Sequence, residues 1–237
     1  MPTFPSLQSS SLVEEAHRAL HEAILRGDIA PGAPLFEAAV AREMGISRGP
    51  VREALRRLEQ SGLVVHEANK GYRVASFTED DLRELAAIRL ALEGVAVRGA
   101  IHNPESVDRL GEVLEQMRRA VRRGDRARTV ALDREFHETV VALSGQRRLL
   151  AVWAGLRDQI ELAVAEVSNS YPSMAGRAAS HIPLLEAIGR RDLDGALAAL
   201  EAHIYDAAVF QAIDGGAGSR DPSTAQADEG VREASRD

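Results

Sequence analysis

The chain has 237 residues, with 29 lysines and arginines against 36 aspartates and glutamates, and its formal net charge is −7. This length suffices for one large domain or two modest domains with buried cores. Because cysteine is absent, disulfides and thiolate metal sites are excluded, and histidine or carboxylate must hold any metal. The first eleven residues have neither a basic flank nor an apolar segment, so we expect a cytoplasmic protein without a membrane span.

The N-terminal part of the chain predicts a helix-turn-helix. An amphipathic helix is predicted over residues 11–26, followed by a loop at Pro31-Gly32-Ala33-Pro34 and a short helix over residues 37–44 that Gly45 ends. Ser47 is a suitable N-cap for a third helix, in which four apolar residues recur at helical spacing: Val51, Ala54, Leu55 and Leu58. This order of elements is typical of a helix-turn-helix.

The exposed face of the third helix is basic. It carries four arginines: Arg48, Arg52, Arg56 and Arg57. From Arg42 to Arg57 there are five arginines against two glutamates, a local charge of +3, whereas Asp214 to Asp237 has six acids against three arginines, a charge of −3. The acidic total therefore does not exclude a polyanionic partner, although these charges alone equally suit an ordinary solvated helix face.

A β-hairpin is predicted directly after the third helix. Leu63-Val64-Val65 and Tyr72-Arg73-Val74 are short β-prone runs, and the residues between them, Glu67 to Gly71, suit a hairpin tip. A helix-turn-helix followed by a small hairpin is a winged helix. The tip carries Lys70, the only lysine in the chain, which could contact a phosphate or belong to a hairpin that merely covers the core.

Together these residues resemble the DNA-binding domain of the GntR family of bacterial transcription regulators. The matching segments are Ile46-Ser47-Arg48-Gly49-Pro50-Val51-Arg52-Glu53-Ala54-Leu55, Leu58, Ser61-Gly62-Leu63 and Gly71-Tyr72-Arg73-Val74. The resemblance implies DNA contacts from Arg48, Arg52 and the wing, and we expect the other arginines of the third helix to contact phosphate. The predicted DNA-binding set is Ser47, Arg48, Arg52, Arg56, Arg57, Asn69, Lys70 and Gly71.

Two positions depart from that family pattern. Gly49 stands where a threonine is common, and Ala38 stands where an arginine often adds a contact. We therefore expect Arg48 and Arg52 to carry a larger share of recognition.

From Thr78 onward the pattern predicts almost nothing but helix. Thr78 is a suitable N-cap with acids in the following turn, and the first long helix has an apolar stripe of Leu82, Leu85, Ile88, Leu92, Val95 and Ala96. Breaks are predicted at Asn103-Pro104, Gly124-Asp125, Ser144-Gly145, Tyr171-Pro172-Ser173 and Arg190-Arg191-Asp192, which leaves later helices at 146–168, 174–189 and 192–212. Six helices without a strand predict a bundle.

The predicted fold class is mainly α. A winged helix-turn-helix with a small hairpin occupies residues 9–77, and an all-α bundle of about six helices occupies residues 78–213. A polar tail over residues 214–237 is expected to be disordered.

Four potential metal ligands lie in the predicted bundle. Asp133 and His137 are four residues apart on one helix and so share a face, while His181 and His203 belong to the last two helices. Imidazole and carboxylate suit zinc, nickel, copper, iron or manganese. Taken singly, each residue would more often be hydrogen-bonded core, and spacing alone does not show that the three helices converge.

A second resemblance covers this region. Asp133-Arg134-Glu135-Phe136-His137, Ser144-Gly145, His181 with Ile188, Asp192 with Ala196, and His203-Ile204 resemble the metal-binding FCD effector domain of the FadR subfamily of GntR regulators. The implied metal ligands are Asp133, His137, His181 and His203. Arg89 matches an arginine that in such domains helps to hold an acidic ligand, although a salt bridge to Glu93 is an equal alternative.

The sequence thus predicts a transcription regulator that is not an enzyme. We expect a repressor that binds a palindromic operator in double-stranded DNA as a homodimer, and that responds to a small carboxylate effector held at a divalent metal, zinc in the first place and nickel, manganese or iron otherwise. Three alternatives stay open: a purely structural metal, a metal-dependent helical-bundle enzyme, which would lack a convincing general base, and a metal-free acyl-CoA sensor of the same fold.

Overall fold

The computed structural model describes residues 10–168 and 174–205. In chain order the elements are α1 (Ser10–Leu25), β1 (Pro34–Leu35), α2 (Glu37–Met44), α3 (Arg48–Gln60), β2 (Val64–Glu67), β3 (Gly71–Val74), α4 (Glu79–Ala100), α5 (Ser106–Arg122), α6 (Arg126–Leu143), α7 (Arg147–Ser168), α8 (Met174–Ser180), α9 (Ile182–Arg190) and α10 (Leu193–Ile204). The predicted tail over residues 214–237 and the predicted end of the last helix lie outside the described residues. The predicted fold class, a winged helix-turn-helix followed by a helical bundle, is confirmed.

The first three helices form the helix-turn-helix because α3 buries one face completely. The four apolar residues predicted for that face, Val51, Ala54, Leu55 and Leu58, are inaccessible to solvent and pack against α1 and the sheet. Gly45 ends α2 in the left-handed conformation, with a φ of 66°, which glycine adopts at little cost. The conformation of the turn into α3 therefore depends on the glycine at its start.

The wing is a three-stranded antiparallel sheet in the order β1-β3-β2. The pairing of β2 with β3 includes Val64 opposite Val74 and Glu67 opposite Gly71. The expectation that Pro34 lies in a loop is wrong, because Pro34 is part of β1 and pairs with Arg73. An edge position tolerates proline, since the N–H that proline lacks would point away from the sheet.

The bundle contains α4 to α10, seven helices within the described ranges where the sequence predicted about six. The helix predicted over residues 174–189 is divided at His181, which is the N-cap of α9. Pro183 lies in the first turn of α9 and has no N–H to continue α8, so the chain can restart there as a new helix.

The buried face of α4 differs from its predicted apolar stripe. Of that stripe only Ala96 is buried, and Val95 is 43% exposed. The core-facing residues are instead Arg89, Glu93, Ala96, Val97 and Ala100. Two oppositely charged side chains therefore occupy positions that a hydrophobic pattern assigns to apolar residues.

Helix α7 joins the two halves of the molecule. Leu162 packs in the same apolar cluster as the core of the helix-turn-helix. Gly62, just after α3, lies so close to Gln159 that a Cβ at this position would overlap its side chain. His21 on α1 lies 3.3 Å from Asp158 of α7, measured from Nε2 to Oδ2. Across residues 10–168 and 174–205, no helix is both long enough and apolar enough to cross a membrane.

Candidate functional site

The basic face of α3 is open to solvent. The side chains of Arg48, Arg52 and Arg56 are each about 60% exposed, and Arg57 is slightly less so. Ser47 occupies the N-cap position, yet its hydroxyl makes no capping hydrogen bond and is exposed. The structure thus presents the predicted residues of α3 on a single accessible helix face.

Glu37 at the start of α2 holds the two arginines at the beginning of this face. Arg52 donates two hydrogen bonds to its carboxylate, each 2.9 Å long, and Arg48 donates a third of 3.2 Å. The bond from Arg52, and after it that from Arg48, lowers the pKa of the Glu37 carboxyl although partial burial opposes this. A bidentate pair fixes the direction of a guanidinium, so Glu37 orients Arg52 before any partner binds.

The other basic residues also have acidic neighbours. Arg56 and Arg57 lie 3.2 and 3.7 Å from Glu53, and Lys70 lies 3.3 Å from Glu67. Such exposed pairs are worth about 0–1 kcal/mol, so phosphate groups could displace them at little cost.

The wing tip is shaped by two residues with positive φ. Asn69 has a φ of 66° and Gly71 a φ of 86°, and they flank Lys70, whose side chain is 72% exposed. This turn holds the lysine at the outermost point of the hairpin.

The four predicted metal ligands come together in the bundle. Asp133, His137, His181 and His203 each direct one ligand atom to a common point, and these atoms lie within 4.8 Å of one another. Three of the four side chains are buried, and His203 is partly buried. The convergence arises because α6 packs against α8, whose end carries His181, and because α4 packs against both α6 and α10.

The hydrogen bonds on the outer side of each imidazole decide where its proton lies. His181 Nδ1 donates to the backbone carbonyl of Arg177 at 2.9 Å, and His137 Nδ1 donates to the carboxylate of Glu93 at 2.5 Å. The Ser180 hydroxyl donates its single proton to the Arg177 carbonyl. Its contact with His203 Nδ1, 2.9 Å away, is therefore one in which the hydroxyl oxygen accepts. Each Nε2 therefore carries a lone pair and no proton.

These lone pairs face one another across a short gap. His137 Nε2 and His203 Nε2 are 3.0 Å apart, a repulsive contact between two acceptors unless a cation lies between them. Among the residues that the structure describes, His181 Nε2 is buried without a hydrogen bond, although Asp133 Oδ1 is 3.3 Å away. Bonds of about 2.1 Å to one ion place neighbouring ligand atoms about 3.0 to 3.4 Å apart. The donor set therefore fits a divalent metal ion.

The protonation states of the cluster also suit a metal. Burial and the charge of Arg89 lower the pKa of His137, and burial with the neighbouring His181 holds the pKa of His203 well below its ordinary value. Burial by itself raises the pKa of Asp133, but Arg177 together with His181 and His137 keeps that pKa well below the usual range. Neutral imidazoles and an ionised carboxylate are the forms that bind metals.

Arg177 is a site residue that the sequence did not reveal. It lies on α8 and donates to both oxygens of Asp133, at 3.0 and 2.8 Å, while its own side chain is buried. This bond fixes the carboxylate in place, and the Arg177 carbonyl also positions His181 and Ser180. Its spacing of four residues from His181 was the one available signal.

Glu93 is the second site residue that acquires its role only in the structure. It is fully buried and bridges Arg89, 2.6 Å away, and His137. Burial would raise its pKa, but the interactions with His137 and Arg89 lower it on balance. The salt bridge considered for Arg89 thus forms, and it belongs to the shell around the metal ligands.

A small cavity adjoins the cluster. Arg89, Asp133, His137 and Trp153 are among its walls, and its volume of about 10 Å³ is room for a single water molecule. Trp153 Nε1 is buried there and meets no hydrogen-bond partner within residues 10–168 and 174–205. A ligand larger than water could enter only if side chains such as Arg89 moved.

Comparisons with known proteins agree with both halves of the molecule. Residues 12–74 match the model of the bacterial regulatory proteins of the gntR family, and residues 84–206 match that of the FCD domain. The chain is 34% identical over 182 residues to a probable D-xylose utilization operon transcriptional repressor of Paenarthrobacter nicotinovorans, covering 76% of this chain and 80% of that protein. It is 30% identical over 204 residues to the HTH-type transcriptional repressor RspR of Escherichia coli, covering 81% and 86%.

A solved structure of a GntR transcriptional regulator from Rhodococcus sp. RHA1 has the same fold. The TM-score is 0.76 at 23% identity, over 90% of this chain and all of the other. These relatives are regulators and not enzymes, which confirms that part of the sequence prediction. The chain belongs to the GntR family of bacterial transcription regulators and carries an FCD domain.

Proposed function

We propose that the protein is a transcription repressor that binds a palindromic operator as a homodimer and responds to a small carboxylate held at a metal centre in the bundle. The observation that carries this proposal is the convergence of three unprotonated Nε2 atoms and one carboxylate, in a chain that also has an exposed basic recognition helix. The repressor assignment is supported by relatives from P. nicotinovorans and E. coli that bear that name.

The DNA contacts are proposed for α3 and the wing. Arg48 and Arg52, oriented by Glu37, are suited to base edges or the nearest phosphates, and Ser47 offers a free hydroxyl beside them. Phosphate contacts are proposed for Arg56, Arg57, Asn69, Lys70 and Gly71. Two such helices in a symmetric dimer would enter successive major grooves.

Self-association is supported by apolar surface at α4 and α7. Val95, Leu150 and Val152 are between 43% and 52% exposed. Gln146, just before α7, donates a hydrogen bond to the backbone carbonyl of Val95, so the two helices are joined here. Burying this surface against a second copy would remove it from water.

The DNA-binding part can be tested without knowing the operator. Selection of bound duplexes from a random pool should yield an inverted repeat, and Arg52→Ala should weaken binding to it at least about fivefold, because one good base contact is worth about 1–3 kcal/mol. Arg119→Ala is the matched control, since Arg119 is equally exposed at 62% and pairs with a glutamate on α5. Equal binding by both variants would refute the role of Arg52.

At the metal centre we propose that Asp133, His137, His181 and His203 hold a divalent ion, zinc in the first place and nickel, manganese or iron otherwise. The ion supplies an open coordination position for a carboxylate. Arg89 would exchange Glu93 for an effector oxygen, because a guanidinium pairs equally well with either carboxylate. Elemental analysis of the purified protein identifies the metal.

A purely structural metal is the competing proposal. Gluconate and D-xylose are suitable first ligands, since relatives are named for a gluconate operon and a D-xylose utilization operon, and only gluconate has a carboxylate. If the metal holds the effector, a ligand changes operator affinity only in metal-loaded protein, with a typical coupling free energy of about 1–3 kcal/mol. A ligand effect that survives removal of the metal would favour the structural role.

A further inference from the structure

A second cavity lies between the winged helix-turn-helix and the bundle, apart from the metal centre. Its volume is about 440 Å³, within the range of about 300–1,000 Å³ that small-molecule sites occupy. One wall is the end of α1 with the turn that follows, and the other is formed by α6 and α7. The apolar part of the lining comprises Ile24, Leu25, Val130, Ala131, Leu162 and Ala165.

The charges in this cavity are unevenly compensated. Arg26 pairs with Asp28 at 3.0 Å and with Glu22 at 3.3 Å, and Arg134 pairs with Glu161 at 2.9 Å. Arg126 also lines the cavity, but within residues 10–168 and 174–205 its guanidinium has no ion pair. Among the residues that line the cavity, three arginines face two glutamates, so the lining itself carries one uncompensated positive charge.

Two guanidinium N–H groups in this lining have no acceptor. Arg126 Nη2 and Arg134 Nε are both shut off from solvent, and neither meets a hydrogen-bond partner in the described part of the chain. Buried donors without partners are rare in folded proteins because the hydrogen bonds that they lose to water are not replaced. In this structure both atoms are closed to the cavity, so each would meet an oxygen acceptor of a ligand only after its side chain rotates.

We infer that this interdomain cavity is a binding site for a small organic anion with an apolar body. Arg126 supplies the compensating charge, the guanidiniums of Arg126 and Arg134 supply donors once their side chains turn toward the ligand, and the aliphatic lining contacts the rest of the ligand. Because its walls come from both halves of the molecule, a bound anion links the DNA-binding part to the bundle. This inference is independent of whether the metal centre senses a carboxylate.

The interdomain cavity shares a wall with the small cavity at the metal cluster. Val130, Arg134 and Glu161 line both cavities. Arg134 follows the ligand Asp133 directly in α6, and its ion pair with Glu161 reaches α7. An anion that draws the Arg134 side chain into the interdomain cavity would therefore disturb the wall between this cavity and the small cavity at the metal cluster.

Benzoate is a suitable probe, and calorimetric titration of the full chain measures its binding. We expect saturable binding of one benzoate per chain at millimolar concentrations, with similar affinity in metal-loaded and chelator-treated protein. Inorganic phosphate lacks the apolar body and benzyl alcohol lacks the charge, so each should bind at least tenfold more weakly. Absence of saturable benzoate binding, or its loss with the metal, would overturn the inference.

Variants locate the site. Arg126→Leu should weaken benzoate binding at least tenfold, whereas Arg128→Leu should not change it, because Arg128 projects from the same turn of α6 toward Gln116 and does not line the cavity. Ala131→Phe places an aromatic ring in the cavity and should block binding in either metal state, and it decides the question if Arg126→Leu does not fold. Wild-type affinity in Arg126→Leu or in Ala131→Phe would contradict the assignment.

Discussion

The contact between His137 Nε2 and His203 Nε2 predicts that the metal-free and metal-loaded proteins respond differently to His203→Ala. In the metal-free protein both nitrogens carry lone pairs 3.0 Å apart, so removing one imidazole relieves a repulsion while it loses the hydrogen bond to Ser180. His203 is only partly buried, so we expect a loss below about 2 kcal/mol in the free energy of unfolding.

In excess zinc, His203→Ala should lower the free energy of unfolding much more than it does in the metal-free protein. Zinc at a thousand times its dissociation constant stabilises the wild type by about 4 kcal/mol. Loss of one ligand should weaken binding more than the about 10- to 100-fold typical of outer-shell changes. A weakening of about a thousandfold would leave only about 0.4 kcal/mol of that stabilisation.

Urea denaturation with chelator and with excess zinc measures the free energy of unfolding of each variant without and with the metal. His102→Ala is the control, because His102 is exposed and lies outside the cluster, and it should change either value by less than about 0.5 kcal/mol. An unchanged zinc effect in His203→Ala would remove His203 from the ligand set. A loss well above about 2 kcal/mol in chelator would show that the two nitrogens attract each other, and the proton positions inferred here would be wrong.

Three further predictions concern the neighbours of these sites. Glu93→Gln should weaken zinc binding about 10- to 100-fold in a chelator competition, because a neutral amide holds the adjacent imidazole less firmly, and unchanged affinity would contradict its outer-shell role. Although burial raises the pKa of Asp158, His21 and Arg157 together lower it on balance, so this carboxylate stabilises the fold above about pH 4 and loses that effect as pH falls through its folded pKa. Asp158→Asn should therefore lower stability at neutral pH by about 1 kcal/mol and flatten the acid side of the stability curve, and an unaltered pH profile would refute the link. Glu37→Gln should reduce the ratio of operator to random-DNA affinity, measured by fluorescence anisotropy, because Arg52 loses its fixed direction while a repelling charge disappears.

Local chemistry explains what the sequence could predict about the fold. The apolar spacing of α3 depends on helical geometry alone, and its four predicted core residues are all fully buried. Thr78 is the expected N-cap of α4, where it forms a capping box with Asp81, and Gly45 takes the expected left-handed conformation. The family resemblance supplied the four ligand residues, since each lies in a recognisable short motif.

Tertiary structure decided the features that depend on distant partners. Arg89 and Glu93 lie on the buried face of α4, which no hydrophobic pattern predicts, because their charges are compensated by each other and by a histidine from α6. Strand β1 has two residues and exists only because β3 offers it an edge. Arg177 and Glu37 acquire their roles through carboxylate and guanidinium partners on other helices.

The metal centre shows most clearly which features the sequence determines and which depend on tertiary structure. The sequence by itself determined which side chains can bind a metal and that Asp133 and His137 share one helix face, because both follow from residue type and helical spacing. Whether His181 and His203 reach the same point, and which nitrogen of each faces inward, depends on the break at Pro183 and on hydrogen bonds from other residues. These are properties of packing between helices, and no local pattern encodes them.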